Sequence, residues 1–250
     1  MTLRWLLAFI DLPAESHEAG AAFWSDVTGY ARGPQRGPEG QFATLVPPDG
    51  LDFLRVQRVA EGPRLHLDLH VDDPATAAAE AVELGATVEP SPFDEVAILR
   101  SPGGFVFCFV REGAGQRPAP RTWPDGHTSY VDQVCLDIPP SRYDAELDFW
   151  AALTGWTRTD PEPGSEFGRL TPGPEQPLQL LVQRLDDERD EGDAVTAHLD
   201  WATSDRDAEV ARHVAAGAEL QKSFAGWTVL RDPAGMTYCV TTRPPGRRPR

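Results

Sequence analysis

The chain has 250 residues, of which 40% are hydrophobic and 25% charged, a composition typical of a globular protein that can bury one or two cores. Its formal net charge of -16, from 39 acidic and 23 basic side chains, repels phosphate groups and anionic lipid surfaces. We therefore expect neither nucleic acid nor a membrane as a partner.

Apolar periodicities in the first half of the chain predict strands alternating with two helices. A glycine ends the first helical pattern, and a Pro-Gly-Gly turn precedes the last strand. In chain order the predicted elements are a strand over 7–12, a helix over 16–28, strands over 42–46 and 51–56, a strand over 66–71, a helix over 73–84 and a hairpin turning at 101–104. This order, β-α-β-β-(β)-β-α-β-β-β, indicates an α+β fold with helices outside a curved sheet.

The second half of the chain repeats the first. Six blocks recur in the same order: 6–13 with 132–139, 23–33 with 149–159, 53–59 with 180–185, 64–73 with 196–205, 84–88 with 216–220, and 98–110 with 229–241. A Pro- and Gly-rich stretch without apolar periodicity separates the two copies. The repeat predicts a first domain over 1–112, a linker over 113–127, a second domain over 128–243 and a basic Pro/Arg tail over 244–250.

The three cysteines, Cys108, Cys135 and Cys239, are odd in number and lack a Cys-x-x-Cys spacing. This pattern favours reduced thiols over a disulfide framework. The apolar run near the N-terminus is too short to span a bilayer and is followed by Asp11. These features predict a cytoplasmic protein.

Five short motifs occur in the same order in both copies. They are Asp-Leu-Pro or Asp-Ile-Pro after the first strand, Phe-Trp before the glycine stop, His-Leu-Asp in the fifth strand, Gly-Ala after the second helix, and Pro-x-Gly before the last strand. In this combination the sequence resembles the vicinal oxygen chelate (VOC) superfamily, in its glyoxalase-like and bleomycin-resistance-like branch. The resemblance implies a tandem glyoxalase/bleomycin-resistance/dioxygenase fold, in which paired βαβββ modules form curved mixed sheets around a U-shaped cavity.

The resemblance also implies where a metal site would lie. Metal enzymes of the superfamily use a His or Gln on the first strand, a His on the fifth and a Glu on the last. The corresponding residues are Leu7, His66 and Cys108 in the first copy, and Gln133, His198 and Cys239 in the second. Because both copies lack the acidic ligand and a leucine cannot bind a metal, we expect no cofactor. A divalent metal at Gln133, His198 and Cys239 is the alternative.

Each copy carries a His-x-Asp pair on its fifth strand. Asp68 follows His66 by two residues and Asp200 follows His198, so each pair shares one face of its strand, which His70 continues in the first copy. One interpretation is a buried structural pair. The other is a polar patch that binds a ligand, or in which the carboxylate raises the basicity of the imidazole for general-base catalysis. All four paired residues are therefore catalytic candidates.

The second copy has tryptophan at two positions where the first has an aliphatic residue, with Trp201 and Trp227 in place of Leu69 and Val96. Aromatic residues with a few polar groups are typical of small-molecule pockets, although a drift in core packing would give the same difference. The candidate ligand-binding residues are Gln133, His198, Asp200, Trp227, His66 and His70.

The resemblance leaves three functions open. The first is a small-molecule-binding protein with a degenerate metal site, as in drug or metabolite sequestration. The second is an isomerase, lyase or dioxygenase that uses His198 and Asp200 in the second copy, and the third is a non-catalytic interaction scaffold. The expected partner is a small-molecule ligand, and the expected state is a monomeric pseudo-dimer or a homodimer.

Overall fold

The computed structural model describes residues 2–186 and 194–246, so part of the predicted basic tail, residues 247–250, lies outside the described residues. The elements of the first half are β1 (Trp5–Pro13), α1 (His17–Thr28), β2 (Ala31–Arg32), β3 (Phe42–Val46), β4 (Leu54–Val59), β5 (Arg64–His70), α2 (Pro74–Glu83), β6 (Thr87–Glu89), β7 (Val96–Arg100) and β8 (Val106–Val110).

The second half repeats this order after one additional short strand. Its elements are β9 (Arg121–Thr122), β10 (Thr128–Ile138), a 3-10 turn (Pro140–Arg142), α3 (Tyr143–Thr154), β11 (Thr157–Thr159), β12 (Phe167–Thr171), β13 (Gln179–Arg184), β14 (Thr196–Thr203), α4 (Arg206–Ala215), β15 (Glu219–Ser223), β16 (Trp227–Arg231) and β17 (Thr237–Thr241). Both predicted glycine stops, Gly29 and Gly155, adopt the left-handed conformation at a helix C-terminus.

The strands form two mixed sheets with the same topology. The first has eight strands in the order β2-β3-β4-β1-β5-β8-β7-β6. The second has nine, in the order β11-β12-β13-β10-β14-β17-β16-β15, with β9 paired to β10 off this path. In each sheet a parallel pair, β5 with β8 or β14 with β17, lies beside an antiparallel hairpin. The predicted α+β fold of curved mixed sheets is confirmed.

The chain divides into two compact units, each of which draws on both sequence copies. The first comprises Met1–Ala8, Leu65–Gly115 and Val134–Ala197, and the second comprises Phe9–Arg64, Gln116–Gln133 and His198–Arg250. This division follows compactness, whereas the boundaries at 112 and 128 follow the repeat and stay a prediction. Among the described residues, no helix has the length and apolar character needed to cross a membrane.

The predicted linker contains regular structure. Its strand β9 pairs with the start of β10, just beyond the linker, and this pairing matches Thr122 with Thr128 and Arg121 with Ser129. The intervening turn closes with a hydrogen bond of 2.9 Å from the Trp123 amide to the His127 carbonyl. A two-residue strand is too short for its alternation to be recognised in a sequence, which is why this pairing was not predicted.

In the second unit a buried tryptophan is anchored to a carboxylate in a turn. The indole Nε1 of Trp24 donates to Asp232 Oδ2 at 2.7 Å. The other oxygen, Oδ1, accepts from the backbone amides of Ala234 and Met236, both at 2.8 Å. A single carboxylate thus holds the helix α1 and the turn before β17 together, and both are parts of the second unit.

The first unit makes the equivalent contact with a different residue. Trp150 is the counterpart of Trp24, and its Nε1 donates to Glu146 Oε1, one helical turn earlier, at 2.8 Å. Glu146 Oε2 accepts from the Gly103 amide in the turn before β8, at 2.7 Å. Here the helix α3 supplies the carboxylate, and the turn carries Ser101 where the second unit has Asp232.

The small residues at this contact change together with the carboxylate. A Cβ on Gly103 would clash with Val195 Cγ2 and lie 2.7 Å from Glu146 Oε2, so these two side chains together leave room only for glycine in this turn. In the second unit Gly20 takes the place of Glu146, and the turn tolerates Ala234, whose Cβ would be 3.0 Å from a Cβ on Gly20. Both arrangements bury one carboxylate beneath one indole.

We expect Asp232→Ser to lower the free energy of unfolding by about 1–3 kcal/mol, because three buried donors lose their acceptor. Adding Gly20→Glu and Ala234→Gly copies the first unit's arrangement and should restore part of this loss. Urea unfolding at pH 7 of the single and triple variants measures both effects. A neutral Asp232→Ser change, or a triple variant no more stable than the single one, would contradict this exchange.

Candidate functional site

In the second unit the strands β10, β14 and β17 bring four polar residues together. The parallel register of β14 and β17 pairs Asp200 with Cys239, and the period-two alternation places His198 on the same face as Asp200. Ligand atoms of these three residues all lie within 4.8 Å of one another. Gln133, on β10, joins them through its side-chain amide, which donates to Asp200 Oδ2.

Two oxygen atoms of this cluster are buried without a hydrogen bond from any residue that the structure describes. They are Gln133 Oε1 and Asp200 Oδ1, on side chains only 2% and 3% exposed. The Nε2 atom of His198 lies 3.3 Å from Asp200 Oδ1 but lacks the alignment of a hydrogen bond. Such atoms each cost about 1–3 kcal/mol unless a cation or a proton donor satisfies them.

The donor set of the cluster suits a divalent metal ion. It combines an imidazole, a carboxylate and a thiol, with the side-chain amide of Gln133 hydrogen-bonded to the carboxylate, and zinc and other first-row transition metals accept such donors. The unsatisfied oxygens of Gln133 and Asp200 belong to this set, so the residues present fit such an ion. We refer to Gln133, His198, Asp200 and Cys239 as the second-copy cluster.

The first unit contains a related cluster with one donor fewer. Ligand atoms of His66, Asp68 and Cys108 lie within 4.8 Å of one another, and His66 Nε2 is 3.8 Å from Asp68 Oδ1. The residue at the position of Gln133 is Leu7, which is fully buried and offers no donor atom. The two copies therefore retain the same three donors and differ at the first strand.

The histidine that continues the face of β5 is held by the backbone. His70 is 1% exposed, and its Nδ1 lies at hydrogen-bond distance, 2.9 Å, from the carbonyl oxygen of Gly113. Its Nε2 lies 3.8 Å from a carboxylate oxygen of Glu112. These contacts give His70 a packing role, and ligand binding by it stays a prediction.

Trp227 is half-buried on β16, on the strand face that also carries Val229, the register partner of Cys239. Its ring stacks on Phe224 with the centroids 4.6 Å apart, and Lys222 Nζ lies 4.7 Å from the centroid of Phe224. Trp227 thus lies on the same face of the sheet as the second-copy cluster, two residues along β16 from Val229. Its contact with a ligand stays a prediction.

Both halves of the chain match the same protein family. A profile described as a glyoxalase-like domain matches residues 8–110 and again residues 133–241. The chain belongs to the glyoxalase-like domain family. The two matches coincide with the two sequence copies, so the resemblance to a tandem VOC protein is confirmed. No curated protein matches this chain in sequence.

Solved structures with the same fold include several dioxygenases. The 2,3-dioxygenase LapB from Pseudomonas sp. KL28 has a TM-score of 0.62 at 13% identity, over 100% of this chain and 97% of its own. A mutant 4-hydroxymandelate synthase from Streptomyces coelicolor has a TM-score of 0.61 at 14% identity, over 100% and 94%. At such identities the likeness shows the fold alone.

A third similar structure is a fusion of a xylose isomerase-like TIM barrel with a 4-hydroxyphenylpyruvate dioxygenase. It has a TM-score of 0.61 at 16% identity and covers 100% of this chain. The glyoxalase-like protein spans 50% of the length of that fusion protein.

The expectation that no cofactor is used is wrong for this fold. The similar structures include dioxygenases, and reactions of dioxygen generally need a metal or organic cofactor. The physical reason for the error lies in Asp200. An acidic ligand was expected on the last strand only, whereas the strand register brings the Asp200 carboxylate beside Cys239. The period-two spacing of His198 and Asp200 was the signal that could have revealed this donor.

We expect His70→Ala to lower the free energy of unfolding by about 1–3 kcal/mol, because it removes a buried ring and its bond to the backbone. Chemical denaturation followed by circular dichroism measures this loss. Where binding of a metal ion or a small molecule is measured, His66→Ala, a change on the same strand face, is the matched control. If His70→Ala left stability unchanged but abolished binding of a small molecule, its packing role would be refuted.

Proposed function

We propose that this glyoxalase-like protein binds a small molecule at the second-copy cluster, with a divalent metal ion as part of the binding site. One observation carries the proposal, namely the pair of buried oxygens on Gln133 and Asp200 that no described residue satisfies. Asp200 lies beside an imidazole and a thiol that are themselves good metal ligands, and the side-chain amide of Gln133 is hydrogen-bonded to Asp200.

Each residue of the cluster has a separate part in this proposal. His198 and Cys239 supply the softer nitrogen and sulfur donors, and Asp200 supplies negative charge. Gln133 supplies a neutral amide oxygen and holds Asp200 through its amide hydrogen bond. A bound ion would offer its remaining coordination positions to oxygen atoms of the ligand. The nitrogen and sulfur donors favour zinc or another first-row transition metal over magnesium and calcium.

A catalytic role at the same cluster is the second candidate function. His198 Nε2 lies 3.3 Å from Asp200 Oδ1, a distance at which the carboxylate can orient the ring. This arrangement supports a proton transfer with His198 as the base. Binding without turnover of any ligand found for the protein would favour the first candidate.

We expect one metal ion to bind tightly in a way that depends on the second-copy cluster. Titration of the metal-free protein with Co²⁺, followed by visible and near-ultraviolet absorption, should show the charge-transfer band of a cobalt-thiolate bond. His198→Ala should abolish this band, and Cys239→Ser should remove it while leaving weaker binding. Gln133→Leu, which copies Leu7 of the first copy, should lower the affinity roughly tenfold or more.

The matched control is His66→Ala, which makes the same change at the corresponding position of the first copy. It should leave the cobalt spectrum intact. A spectrum lost in His66→Ala and kept in His198→Ala would move the site to the first copy. The absence of stoichiometric binding to the wild type would refute the metal part of the proposal.

The ligand part of the proposal has its own test. Hydroxamates and α-hydroxy acids present two adjacent oxygens and serve as probes in a thermal-shift screen of the zinc-loaded protein. A probe at a concentration about 100 times its Kd should raise Tm by roughly 5 °C, because it binds the folded state only. The shift should disappear in His198→Ala and persist in His66→Ala. A shift equal in both variants would place the ligand elsewhere.

A further inference from the structure

A second polar cluster in the second unit lies outside the second-copy cluster. It fastens the turn of residues 123–127, within the predicted linker, to the helix α4. Glu209 on α4 is fully buried, and its Oε2 lies 2.6 Å from Nε2 of His127. The other ring nitrogen of His127, Nδ1, lies 2.5 Å from Oδ1 of Asp125 in the turn.

A cation–π contact holds the same turn to the same helix. The guanidinium carbon of Arg212 lies 3.5 Å from the ring centroid of Trp123. Arg212 Nη2 donates to Glu209 Oε1 at 2.7 Å and to the carbonyl of Val27 at 2.8 Å. A hydrogen bond of 2.8 Å from the indole Nε1 to Ser129 Oγ also fixes Trp123. Arg212 thus joins Trp123 of the turn to α4 and to the buried glutamate of that helix.

The geometry at His127 sets the protonation state of its ring. Both ring nitrogens face carboxylate oxygens, and a carboxylate only accepts hydrogen bonds. Both nitrogens donate only in the imidazolium form. In the neutral form, one nitrogen would present a lone pair to a carboxylate oxygen at the same short distance, and the contact would become repulsive.

The charges around His127 agree with a protonated ring. Burial acts to lower the pKa of His127, but hydrogen bonds and charge from Glu209 and Asp125 outweigh it and raise that pKa above its usual value. Burial acts to raise the pKa of Glu209, but hydrogen bonds from His213 and Arg212 hold it well below its usual value. Glu209 therefore stays ionised beside the ring.

Two further ionisable groups, His213 and Tyr238, lie near Glu209. His213 Nε2 lies 3.1 Å from Glu209 Oε1, and His213 Nδ1 lies 2.9 Å from the hydroxyl oxygen of Tyr238. Burial lowers the pKa of His213, so its ring is neutral at pH 7, and burial raises the pKa of Tyr238. Arg212 and Arg121 also face the turn, with guanidinium carbons 3.5 and 5.7 Å from the ring centroid of Trp123.

We propose that His127 is a pH-sensitive latch, in which the protonated ring clamps the turn of residues 123–127 onto α4 and loss of its proton releases the turn. The sign follows from linkage. Because the pKa is raised in the folded protein, the stabilisation is complete below the ordinary histidine pKa of about 6.5. It is lost as the pH rises through the folded-state pKa, so release occurs on the alkaline side.

Amide hydrogen exchange of a peptide spanning the turn tests this latch at pH 6 and pH 9, with rates corrected for the intrinsic effect of pH. In the wild type, the protection factor of the turn amides should be roughly tenfold lower at pH 9 than at pH 6. His127→Gln should be poorly protected at both. His17→Gln, which changes another buried histidine with one neighbouring carboxylate, Glu18, should behave as the wild type.

A titration of the His127 ring by NMR keeps the proposal falsifiable if His127→Gln fails to fold. The wild-type midpoint should lie above that of an ordinary histidine, and Asp125→Asn should lower it. A midpoint at or below about 6.5 would overturn the latch. Equal protection of the turn at pH 6 and pH 9 in the wild type, or full protection in His127→Gln, would overturn it as well.

Discussion

The parallel pairing of β14 with β17 is the constraint on which the candidate site depends. Its register sets Asp200 beside Cys239, and strand alternation then adds His198 to the same face. A shift of β14 by one residue would turn Asp200 and His198 to the opposite face, away from Cys239. The buried amide of Gln133 completes the group from β10, and it leaves two oxygens that the described protein does not satisfy.

The two copies have kept their packing by different means and have diverged in their polar groups. The indole of Trp24 takes its acceptor from a turn, whereas that of Trp150 takes it from its own helix. The duplicated fold therefore tolerates changes of partner as long as the carboxylate remains. No such compensation accompanies the change from Gln133 to Leu7, which removes a donor outright. This difference is why the proposed function is assigned to the second copy.

The order of elements could be predicted because a repeated pattern, with glycine stops at Gly29 and Gly155, reflects local physical chemistry. Long-range contacts could not. The bond between His127 and Glu209 joins residues 82 positions apart, and only the folded chain reveals it. The compact units could not be predicted either, because the repeat marks homology along the chain, whereas compactness depends on tertiary packing. The cofactor expectation failed for a different reason, because it sought the acidic ligand only on the last strand, although the same-face spacing of His198 and Asp200 is visible in the sequence.

Zinc K-edge X-ray absorption of the wild-type protein, loaded with one equivalent of Zn²⁺, tests directly whether the second-copy cluster binds a metal ion. We expect a shell of nitrogen and oxygen neighbours together with one sulfur neighbour at about 2.3 Å, contributed by Cys239. A shell composed only of oxygen and nitrogen at the distances of hydrated or surface-bound zinc would contradict the assignment of the metal to the second-copy cluster.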